Sequence, residues 1–72
     1  MIKAVNIKKY RFGKLGNMAY SQGFAMIDTE TDEFLSFDGI YPYVLRTKKT
    51  IQSCIDGGWP EIMKERVKYY KA

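Results

Sequence analysis

Residues 18–38 impose the strongest constraint in the chain: two runs that alternate with a period of two around one acidic turn. In the first run Met18, Tyr20, Phe24 and Met26 share one parity, while Ala19, Ser21, Gly23, Ala25 and Ile27 share the other. Successive strand residues point to opposite faces, so this spacing predicts a β-hairpin. The turn falls in 28–33, and a loop of two or four residues sets one register. Ile27 then stands opposite Phe34, Met26 opposite Leu35, and Phe24 opposite Phe37. One face carries Phe24, Met26, Leu35 and Phe37 and has to be covered. The other carries Gly23, Ala25 and Ser36, with Ile27 and Phe34 at the turn end. Smaller and partly polar, that second face is a candidate working surface.

Other elements arrange themselves around the hairpin. Ile2, Val5, Ile7, Tyr10 and Phe12 mark a strand over 2–12, with a slip in its alternation between Ile7 and Tyr10 that implies a bulge or twist. Gly13, Gly16 and Asn17 supply a turn. Asp38-Gly39 begins another, and 40–45 reads as a short edge strand, where Pro42 is tolerated. Thr47 is a good N-cap for a helix over 48–56, with Ile51, Cys54 and Ile55 on one apolar stripe and Gly57-Gly58 at its end. The segment 60–71 has two readings. Pro60, Glu61, Met63, Val67 and Tyr70 favour a helix, yet Arg66 to Tyr70 alternates as a strand able to pair with the N-terminal one. The predicted fold is α+β, one domain over 1–72: a three- or four-stranded antiparallel sheet with one face covered by one or two C-terminal helices.

At 72 residues the core must be thin, and six Tyr, four Phe, four Met and one Trp supply the large side chains it needs. Marginal size makes an obligate partner or homodimer a natural expectation. A single cysteine forms no internal disulfide, Lys3, Asn6, Lys8 and Lys9 interrupt any N-terminal apolar run, and no stretch approaches a membrane span. The expectation is a cytoplasmic protein with no membrane partner.

Catalysis is disfavoured by subtraction. Without histidine the commonest general base and metal ligand are missing, and Cys54 falls on the apolar stripe of a helix. No cofactor and no metal site are expected. Asp28, Glu30 and Asp32 have the spacing of the first calcium-loop oxygens, but Glu33 and Gly39 stand where such a loop needs Gly and Glu. A solvated hairpin tip is the better reading.

Charge is segregated along the chain. Residues 1–16 hold Lys3, Lys8, Lys9, Arg11 and Lys14 with no acid; 17–45 hold Asp28, Glu30, Asp32, Glu33 and Asp38 with no base; 46–72 hold seven bases against three acids. Either the fold makes a bipolar surface, or the two signs pair across adjacent strands. Cations also interleave with rings, as in single-strand nucleic-acid binders, where lysine tracks phosphate and aromatics stack on bases. The candidate nucleic-acid contacts are Lys8, Lys9, Tyr10, Arg11, Lys14, Lys48, Lys49, Arg66, Lys68 and Tyr69. The competing reading makes those tyrosines half-buried sheet rings and the lysines a solubilising rim. Candidate contacts for a protein partner are the acidic tip, Asp28, Glu30, Asp32 and Glu33, and the tyrosines near a sheet edge, Tyr41 and Tyr43. The leading expectation is a small non-catalytic protein that contacts nucleic acid or a nucleic-acid-processing complex. A protein-binding regulator or inhibitor is the alternative, and a structural subunit or homodimer the third.

Overall fold

The computed structural model describes residues 1–11 and 22–71. Within them β1 (Ile2–Asn6) pairs antiparallel with β3 (Phe24–Asp28) along its whole length, from Ile2 opposite Asp28 to Asn6 opposite Phe24. The strand expected over 2–12 is interrupted where its alternation slips, by a 3-10 turn at Ile7–Lys9. Asn6 caps that turn, its Oδ1 accepting from the Lys8 N–H at 2.9 Å. The chain then leaves the sheet as β2 (Tyr10–Arg11). Phe12, the expected turn at 13–17 and the first strand residues from Met18 to Ser21 lie outside the described residues.

β4 (Glu33–Ser36) returns beside β3 in the register the alternation predicts, with Ile27 opposite Phe34 and Asp28 opposite Glu33. The loop between them is 29–32. Asp32 closes it at φ 57°, and its N–H donates to the Asp28 carbonyl at 2.7 Å. Aspartate is one of the few L-residues that tolerates this left-handed conformation.

The pairing of β3 with β4 stops at Ile27 and Phe34: the expected pairs Met26 with Leu35 and Phe24 with Phe37 do not form in the ladder. After Ser36 the chain swings out over 37–43, and β5 (Val44–Leu45) takes the open edge of β3, Val44 opposite Ala25 and Leu45 opposite Phe24. The edge strand expected over 40–45 is therefore only two residues long. Asp38-Gly39 turns the backbone, and Pro42 has no N–H for a ladder, so this stretch cannot continue β4.

α1 (Lys48–Asp56) follows the predicted boundaries. Thr47 Oγ1 accepts from the Thr50 N–H at 3.2 Å, and Gly58 beyond the C-terminus sits at φ +86°, where a side chain would be strained. The helix favoured over 60–71 is confined to α2 (Trp59–Ile62); Met63 is already extended. The chain continues as β6 (Glu65–Val67) and β7 (Tyr70–Lys71). β6 pairs with β4, placing Val67 opposite Phe34 and Glu65 opposite Ser36. β7 pairs with β2, Tyr10 opposite Lys71 and Arg11 opposite Tyr70, so the strand reading of this segment holds in part. The open edge of β4 and a buried slot for Val67 outweigh the helix propensity of Glu, Met and Lys. The result is a five-stranded antiparallel sheet in the order β1-β3-β4-β6, with β5 beside β3, and a separate β2–β7 ribbon.

Both faces of the sheet are core. On one, Ala4, Met26, Leu35, Ile51 and Met63 are buried beneath the two helices, with Phe24, Tyr43, Leu45, Cys54, Ile55 and Trp59 packed around them. On the other, Ile7, Ala25, Ile27, Phe34 and Val67 are buried, with Val5, Tyr10, Val44 and Tyr69 against them. The smaller face is thus no working surface. Tyr10 and Tyr69, carried by the ribbon segments, close over it, because Ile27 and Phe34 left bare would expose apolar area worth roughly 1.5–3 kcal/mol each. No described helix is long and apolar enough to cross a membrane.

Candidate functional site

The structure brings the two basic-aromatic segments singled out by sequence side by side, Tyr10–Arg11 pairing with Tyr70–Lys71, while Lys48 and Lys49 stand apart on α1. Tyr10 and Tyr69 meet edge to face at 4.6 Å between ring centres, and each makes a similar contact with Phe34, at 5.1 and 5.2 Å. Rings locked to one another and to a buried phenylalanine offer little face for a base. Burial pushes the Tyr69 hydroxyl pKa up, with the nearby Asp32 charge and Tyr10 adding to the effect. Arg66 is engaged as well, its guanidinium 3.0 Å from Asp28 Oδ2. Lys48 and Lys49 are exposed in the first turn of α1, on the helix-covered side of the sheet; Lys8 and Lys68 are exposed in the segments leading into the ribbon. For Lys9 and Arg11 only the backbone is described, and Lys14 lies outside the described residues.

The acidic tip is partly internal structure. Asp28 Oδ1 accepts from the Glu30 N–H at 3.0 Å and lies 3.8 Å from the α-amino group, while its other oxygen holds Arg66. The two signs therefore pair across strands here, between a residue expected to touch nucleic acid and one expected to touch a partner. Glu30 and Asp32 are exposed, and Glu33 is half-buried.

A different surface gathers at the excursion 37–43. It is built from Ser36, which is fully buried at the end of β4. Ser36 Oγ accepts from the Asp38 and Gly39 N–H groups at 3.2 and 2.9 Å. Its single proton is shared between Asp38 Oδ1, at 3.0 Å, and the Tyr41 carbonyl. Asp38 Oδ1 in turn accepts from the Ile40 and Tyr41 N–H groups at 2.8 and 3.0 Å. These donors, Tyr41 first and then Ile40 and Ser36, hold the Asp38 carboxyl below its usual pKa. The Tyr43 N–H closes the loop by donating to the Leu35 carbonyl at 3.1 Å. These bonds hold the loop so that Pro42 is buried while Phe37, Ile40 and Tyr41 remain exposed.

Those side chains are apolar. Phe37 is 52% exposed, Ile40 53%, Tyr41 43%, and Ile62, three residues after Trp59 on α2, 66%. Phe37 contacts Tyr43 and Trp59 edge to face at 5.3 and 5.8 Å, and Tyr43 stacks on Trp59 at 5.5 Å with 19° between planes. Tyr41 and Tyr43 were expected at a sheet edge; they instead belong to this loop and its aromatic base. Sequence reasoning missed Phe37 and Trp59, and it placed Ser36 on the smaller face of the hairpin instead of at the root of this loop. Parity places Phe37 in the core, and the signal against that is the Asp38-Gly39 turn one residue later. Glu65, at the start of β6, completes the site: its Oε2 would stand 3.3 Å from a Cβ built on Gly39.

Comparison with protein-family models, curated proteins and solved structures finds no match to this chain.

Proposed function

We propose that the protein is a non-catalytic protein-binding module that meets its partner through loop 37–43, with Phe37, Ile40 and Tyr41 as anchors beside Trp59. The observation that carries this reading is three exposed apolar side chains on a loop held by its own Ser36 and Asp38 hydrogen bonds. A surface already ordered before contact loses little conformational entropy on binding, and aromatic anchors dominate interface energetics. The non-catalytic part rests on the lack of histidine in the chain. Contact with nucleic acid is the weaker reading, since Tyr10 and Tyr69 are half-buried against the core and Arg66 is paired with Asp28.

A photocrosslinking residue at position 40, compared with one at position 68, tests the reading in the cell of origin. The expected result is one protein crosslinked from position 40 alone, whose purified form binds with measurable affinity and loses binding to Ile40→Asp. A gel shift with single- or double-stranded nucleic acid at low salt that survives Ile40→Asp, with no protein crosslinked, overturns it.

A further inference from the structure

We infer that the segment seated on loop 37–43 is cationic as well as apolar: an arginine or lysine next to an aromatic or branched aliphatic side chain, the cation lying by Asp38 and Glu65. The inference rests on the protein-binding reading above and names the chemistry of its partner. Asp38 and Glu65 flank Gly39, one in the loop and the other reaching over it from β6. Both residues are exposed, and among the described residues neither forms an ion pair within 4 Å. No base lies in 37–45. Because backbone N–H groups occupy Asp38 Oδ1, its negative charge persists throughout the physiological range.

One carboxylate on a loop that carries exposed Phe37 and Tyr41, and a second over its Gly39, form a recognisable arrangement. A guanidinium or ammonium entering there gains ion pairing from the acids and cation–π attraction from ring faces, while its neighbour covers Ile40 and Phe37. Phosphate would be repelled by the same acids. A second copy of this chain is also disfavoured in this position. A two-fold contact brings the same patch against itself, so Asp38 and Glu65 of each copy would approach their own counterparts.

Selection from a random-peptide phage library on the immobilised full chain, followed by binding of the synthetic selected peptides, tests this. The expected peptides carry Arg or Lys adjoining Trp, Phe, Leu or Ile. Their Kd weakens roughly three- to tenfold in the Asp38→Asn, Glu65→Gln double variant and more steeply in Ile40→Asp. Asparagine keeps the Oδ1 acceptor, so the loop is retained; if the Ile40 and Tyr41 amide resonances shift regardless, Glu65→Gln alone carries the comparison. Peptides lost to Ile40→Asp but lacking cations, or indifferent to the carboxylate variants, overturn the inference and leave the protein-binding reading standing. Concentration-dependent dimerisation lost in Ile40→Asp overturns it in favour of a second copy. Peptides unaffected by Ile40→Asp, or none selected, remove the reading and the inference together.

Discussion

Two aromatic trios stand on opposite sides of one strand. Tyr10, Phe34 and Tyr69 close the ribbon side; Phe37, Tyr43 and Trp59 gather on the helix side. Edge-to-face contacts dominate both, and Phe34 lies only three residues before Phe37. Phe34 is nevertheless inaccessible to solvent, whereas Phe37 is half-exposed. Ring contacts therefore do not distinguish core from surface. What distinguishes them is whether backbone covers the cluster. Tyr10 and Tyr69 come on segments that fold back over Phe34, whereas Phe37 rides a loop that turns outward.

The largest effect should come from breaking the closed trio. Phe34→Ala leaves a cavity between sheet and ribbon and should cost about 3–5 kcal/mol in denaturant unfolding, enough to threaten folding in so small a domain. At the edge of the same cluster, Gly23 sits at φ +123° with Val44 Cγ1 only 2.5 Å from where a Cβ would be. Gly23→Ala should therefore cost about 2 kcal/mol or more, through strain and displacement of Val44. Ser36→Ala strips the open trio of its anchor. It removes the acceptor of the Asp38 and Gly39 N–H groups and the hydroxyl that donates to the Tyr41 carbonyl, for about 1–3 kcal/mol, and should accelerate amide exchange at 38–41 without affecting Phe34. Phe37→Ala should change stability by less than about 1 kcal/mol yet weaken partner binding by about 2 kcal/mol or more; equal effects on both would make Phe37 core after all.

Acid and alkali should separate the two sides most gently. The Asp38 carboxyl titrates below its usual 3.8, so it adds stability above that pH and loses it as pH falls through the folded value. The Ile40 and Tyr41 amide resonances should move there first. Tyr69 titrates above its usual 10.0, so its contribution is complete below that pH and fades as pH rises past it. Its phenolate absorbance should appear later than that of an exposed tyrosine. A loop that loosened in alkali before acid would reverse the assignment.

Local pattern determined much of this fold. Period-two alternation was enough to place Ile27 opposite Phe34, and Thr47 with Gly57-Gly58 was enough to bound α1, because strand register and helix caps depend on neighbouring residues. The slip between Ile7 and Tyr10 likewise marked where β1 ends. Tertiary structure alone decided the rest. Val67 fits a helical face as well as a strand, local propensity favours the helix, and the unfilled edge of β4 chose the strand. Tyr10 and Tyr69, 59 positions apart, came to cover the core only because β2 and β7 pair as a ribbon. The candidate site was legible only in part: Tyr41 and Tyr43 were visible, but Phe37 changed from core to surface when Ser36 and Asp38 drew the backbone out of the sheet. Periodicity reports which way a side chain points within its strand; what finally lies over it depends on chain brought from far along the sequence.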